Sequence, residues 1–81
     1  IDYDTAYKVI QVGAELRRQY KVGDLPYGPS LGDLINWATL IYDGNTPLQA
    51  AEETIIALTS DNTDIQDDVR RVIETIFGNS R

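Results

Sequence analysis

In this 81-residue chain, the segment with the residue types to meet a ligand is Tyr27-Gly28-Pro29-Ser30-Leu31-Gly32-Asp33. A Gly- and Pro-rich loop runs there into a helix start, with Ser30 as the cap and Asp33 three residues on. The first backbone N–H groups of a helix have no partner inside it and lie at the positive end of its dipole, so they can face an anion. Leu31, Gly32 and Asp33 supply such amides. Asp33 also brings a charge of its own to the same spot, and on the residues alone an ordinary cap is the favoured reading.

Most other chemistry is closed off. The chain has no Cys and no His, which excludes thiol catalysis, disulfides, Cys-ligated zinc and the usual general base. No Gly-Lys pair occurs, so the phosphate loop of nucleotide hydrolases is missing and this chain alone is not expected to be catalytic. The acidic run from Asp61 to Asp68 fails the calcium-loop pattern, because Gln66 stands where that loop needs Gly. Helix capping and dipole complementarity explain the run, and no metal site is expected. Glu52-Glu53 and Asp67-Asp68 are neighbours on helices and point apart, as on a solvated face. Trp37 reads as a core or interface anchor more readily than as the wall of a ligand cleft.

With 7 basic and 13 acidic residues the formal charge is -6. That balance argues against nucleic acid and anionic membrane surfaces as partners. No apolar run approaches the roughly 20 residues that span a bilayer, and no signal peptide is evident. Hydrophobic residues make up 42% of the chain, enough for one small core. The chain does not begin with Met and reads as a piece of a longer protein.

Four helices must position the loop. From Asp4 to Lys21, Ala6, Val9, Ile10, Gly13, Leu16 and Tyr20 recur at helical spacing, with Asp4 as the expected cap. The second helix covers 31–43, with Leu31, Leu34, Ile35, Ala38, Ile41 and Tyr42 on its apolar stripe and Gly44 as its stop. Thr46-Pro47-Leu48-Gln49 opens a third, unbroken to about residue 59, on which Leu48, Ala51, Ile55 and Leu58 face one way. Thr63-Asp64-Ile65-Gln66 repeats the capping pattern and opens a fourth, 64–77. No segment alternates as a strand does. The fold class is therefore all-α, a compact four-helix bundle-like domain over 1–81.

Gly28-Pro29-Ser30-Leu31-Gly32-Asp33-Leu34-Ile35-Asn36-Trp37-Ala38 carries a resemblance, continued by Leu40-Ile41-x-x-Gly44-x-x-Pro47-x-x-Ala50-Ala51, Leu58-Thr59-Ser60-Asp61-Asn62 and Ile76-Phe77-Gly78. Together these resemble the C-terminal helical lid of MoxR-type AAA+ ATPases, in the CbbQ/NirQ/NorQ branch. The resemblance implies a parent that binds ATP and Mg between an α/β core and this lid, and assembles into rings, commonly hexamers. It implies chaperone-like activation of a client enzyme in the cytoplasm, often with a von Willebrand A-type partner. The lid's own partners would be the upstream core and neighbouring subunits, and no cofactor is expected on the fragment itself. It also implies that the helix start at Ser30, Leu31 and Gly32 faces the nucleotide. The family usually has an arginine at the place of Gly32; Arg17 and Arg18 of the first helix are candidates to substitute for it, though nothing in the sequence shows that either does. Two other readings stand beside it. One is a free-standing helical interaction module. The other is an acyl-carrier-like protein, which Ser30-Leu31 partly mimics, though Pro29 replaces the Asp such proteins carry.

Overall fold

The computed structural model describes residues 2–78, and every element among them is helical: α1 Tyr3–Lys21, α2 Leu31–Tyr42, α3 Pro47–Glu53, α4 Ile55–Thr59 and α5 Thr63–Phe77. The path is a four-helix bundle whose third helix is in two pieces, α3 and α4. α1 packs against α2 and α5, α3 packs against α2, α4 and α5, and α4 also meets α2 and α5. The core draws on all five elements and the first loop: Val9, Val12, Leu16, Leu25, Trp37, Ala50, Ala51, Ile55, Ile56, Val69 and Ile73.

Local chemistry accounts for the ends. Ser30 and Asp33 form the expected reciprocal box at α2, and Thr46 and Gln49 form the one at α3, with Pro47 at the first helical position. Gly44 takes a φ of 112° past the end of α2, a conformation costly for any residue with a Cβ. Two caps differ from expectation. α1 starts earlier, on Asp2, whose carboxylate accepts the Thr5 amide at 2.7 Å; Asp4 falls inside the first turn and pairs with Lys8. α5 is capped by Asn62, whose side-chain oxygen accepts the amides of Asp64 and Ile65. Gln66 does not close a box with Thr63 but donates to the Ser60 carbonyl, tying the helix to the turn before it.

The expected unbroken third helix breaks at Thr54, where φ is -124° and ψ is -92°. The Thr54 hydroxyl donates to the Ala50 carbonyl at 2.8 Å, taking the acceptor its own amide would use in a regular helix. The amide bonds to Ala51 instead. The break resets the buried face: Ile55, Ile56 and Thr59 turn inward, and Leu58 turns out.

The other stripes also shift. α1 buries Val9, Val12, Gly13 and Leu16, while Ile10 and Tyr20 are exposed. A helix wedged between two neighbours buries the arc that meets both, and Ile10 lies beyond it. On α2, Leu31, Ile35 and Tyr42 are exposed and Trp37 is the one buried residue. Its indole N–H donates to the Pro47 carbonyl at 2.9 Å, and its ring meets Phe77 edge-on at 5.8 Å. Trp37 is thus a core anchor that joins α2 to the start of α3 and the end of α5.

Candidate functional site

Three elements hold the α2 start. From α1, a guanidinium nitrogen of Arg17 donates to the Pro29 carbonyl at 2.5 Å. From the loop, the Tyr27 hydroxyl donates to the Asp33 carboxylate at 2.5 Å. From within α2, the same carboxylate oxygen accepts the Ser30 amide at 2.9 Å, and the Ser30 hydroxyl accepts the Asp33 amide at 3.2 Å. The loop packs closely onto α1 as well. A Cβ on Gly28 would lie 3.1–3.2 Å from atoms of Tyr20, so only Gly passes under that ring comfortably. Pro29 and Leu25 are buried, which makes this loop part of the core and not a flexible strap.

The expected site residues sit together on the surface. Ser30, Leu31 and Gly32 are all exposed, Leu31 at 71%. A Cβ on Gly32 would meet only the Ser30 hydroxyl, at 3.7 Å, so there is room for a longer side chain. The structure separates the two candidate arginines. Arg18 is turned onto Glu15, with which it makes two hydrogen bonds of 3.0 and 2.7 Å. Arg17 is the one that reaches the loop beside Ser30. Among the described residues, Arg17 makes no salt bridge, unlike Lys8, Arg18, Arg70 and Arg71.

The electrostatics centre on Asp33. The Tyr27 hydroxyl, followed by the Ser30 amide, holds its carboxyl below the usual carboxylate range, and Asp33 in turn raises the Tyr27 phenol. Asp33 is therefore ionised at neutral pH. Among the described residues, the cap engages the amides of Ser30 and Asp33, and Leu34 bonds back to the Ser30 carbonyl. That leaves Leu31 and Gly32 as the outward amides. Sequence reasoning missed Tyr27 as the partner of Asp33. The signal was faint, since an aromatic hydroxyl six residues before a capping carboxylate has no fixed local geometry.

Two shallow grooves border these elements. One, of roughly 300 Å³, adjoins the α2 start and is lined by Ile10, Gly13, Ala14, Arg17, Pro29, Leu31 and Leu34. The other, of roughly 740 Å³, runs between α1 and α5, away from the α2 start. Its charges are satisfied within their own helices, Arg18 by Glu15 and Arg71 by Asp68, so its size does not make it the chemical centre. Among the described residues no group of three or more acidic side chains could hold a metal ion, and no helix is long and apolar enough to cross a membrane.

A family model described as CbbQ/NirQ/NorQ C-terminal matches residues 1–76. No curated protein and no solved structure matches the chain.

Proposed function

Since the chain belongs to the CbbQ/NirQ/NorQ C-terminal family, matched over residues 1–76, we propose that it is the lid of an AAA+ ATPase and closes over ATP held by an upstream core. The family match is the observation that carries this reading, and the all-helical fold supports it. ATP with Mg would supply the phosphoryl group whose transfer to water drives the cycle. This chain's part is mechanical. Its core runs through every helix, so the lid turns as one body and passes the nucleotide state to a neighbouring subunit.

Ser30, Leu31 and Gly32 are the residues that face the bound nucleotide in this reading. They are exposed, they adjoin one another, and their position is fixed by Arg17, Tyr27 and Trp37. Through ring assembly, commonly hexameric, and with a von Willebrand A-type partner, the parent would activate a client enzyme in the cytoplasm.

The coding frame upstream of Ile1 tests the reading. A Walker A loop and an acidic Walker B strand in one α/β domain are the expected finding. The 81-residue chain alone should fold and show no ATP turnover above blank. A start codon a few residues upstream would refute the lid and leave a helical interaction module. A mass gain on incubation with coenzyme A and a phosphopantetheinyl transferase would instead make Ser30 a carrier site.

A further inference from the structure

The α2 start does not fit a terminal phosphate. A site for that group needs free amides or a cation aimed at it. Here the donor set is thin. Gly32 offers no side chain, and the amides of Ser30 and Asp33 are spent on the cap. The Arg17 guanidinium gives one of its N–H donors to the Pro29 carbonyl and is tethered there. What the same helix end does carry is a carboxylate of its own, Asp33, bonded to the Ser30 amide and fixed from the side by the Tyr27 hydroxyl. We infer that Asp33 is a built-in occupant of this helix end, so that the lid meets a nucleotide here without binding its terminal phosphate.

Three observations point the same way. The carboxylate is not a passing rotamer, since one oxygen accepts two hydrogen bonds, from Tyr27 and from Ser30. The bond to Tyr27 exceeds what a cap requires: the Thr46–Gln49 box on α3 closes with a neutral side chain in the same position. The ionised state is also the favoured one, because both donors hold the Asp33 carboxyl low. A phosphate oxygen arriving at Leu31 and Gly32 would meet like charge on the same first turn of α2. This deepens the lid reading, since lid closure would then not distinguish a triphosphate from a diphosphate through α2. The geometry itself rests on residues 17–33 whatever the parent is.

The test titrates sodium tripolyphosphate into the 81-residue chain at low ionic strength, following the backbone amide signals of Ser30 to Leu34 by NMR. The wild type should show no saturable shift. Asp33→Gln keeps the neutral box already seen on α3, and should give a saturable shift at Leu31 and Gly32 with affinity about tenfold above the wild-type limit. Tyr27→Phe keeps the charge and should stay silent. Far-UV circular dichroism and the dispersion of the other amides report that each variant is folded. Saturable binding by the wild type would overturn the inference. So would an Asp33→Gln variant that is folded and equally silent, since then the carboxylate is not what excludes the anion. The upstream coding frame decides the lid reading separately, so the two can fail independently.

Discussion

Replacing Trp37 with Phe should cost this domain about 2–3 kcal/mol. Trp37 is fully buried, and its N–H is the partner of the Pro47 carbonyl at 2.9 Å. Removing the donor leaves a part-buried carbonyl unpaired, at about 1–2 kcal/mol. The smaller ring leaves a void beside Phe77, at about 1 kcal/mol more by the cost of unfilled core volume. A chain of this length has about 4–12 kcal/mol in total, so the loss is a large share of it. At about 4–8 °C per kcal/mol in a domain of this size, the thermal midpoint should fall by roughly 10–20 °C. Far-UV circular dichroism reads the midpoint, because the variant has no tryptophan to report fluorescence. A fall of less than about 3 °C would refute the reasoning, by showing that the α2–α3 joint does not depend on the indole.

Gly13→Ala sets two terms against each other. Ala favours the helix by about 1 kcal/mol, but its Cβ would lie 2.5 Å from Leu34 Cδ1, and overpacking of this kind costs about 1–3 kcal/mol. The expected outcome is a net loss of about 1 kcal/mol in urea titration, with Leu34→Ala relieving the clash in the double variant. Arg17→Ala removes the bond to Pro29 and should speed amide exchange in residues 27–31 about fivefold, with α5 unchanged. Glu15, held at about 2 mainly by Arg18, and Asp33 and Glu52, also held low, have folded values beneath their unfolded ones. Their contribution is fully present above about pH 5 and is lost as the pH falls toward about 2, so a urea midpoint that stays flat from pH 5 to 3 would contradict it. Arg70 bridges α5 to Glu52 on α3 through two hydrogen bonds at the surface. Arg70→Met should cost about 0.5 kcal/mol or less, and the difference should vanish in 1 M salt.

The features legible in the sequence are those settled within a few residues. The boxes at Ser30 and Thr46 need only partners three positions apart, and both form. The features that were not legible depend on what lies across the fold. The apolar arc of α1 is wide enough for several faces, and only the placement of α2 and α5 decides that Val12 is buried and Ile10 is not. Thr54 is helix-compatible by type, and the break appears where its hydroxyl competes for the Ala50 carbonyl. At the candidate site, Ser30, Leu31, Gly32 and Asp33 are contiguous and could be found by inspection. Tyr27 and Arg17 join them only because the loop folds back over α1, a path that no local pattern encodes.

How the α2 start is held bears on how a lid could act. Arg17 ties it to α1, Tyr27 to the loop, and Trp37 ties the same helix to α3 and α5. The loop between α1 and α2 is pinned by buried Leu25 and Pro29, so it has little freedom to act as a hinge. A turn of this domain against another body would therefore carry Ser30–Gly32 with it at fixed distance from every other helix. Any adjustment to the nucleotide state would have to arise where the domain meets its neighbour, outside these helices, because a packed core transmits displacement and does not absorb it. An Asp33 carboxylate that fills its own helix end suits that division of labour. Under the lid reading proposed above, the moving body would stay the same in each state, and sensing would belong to the surface it closes upon.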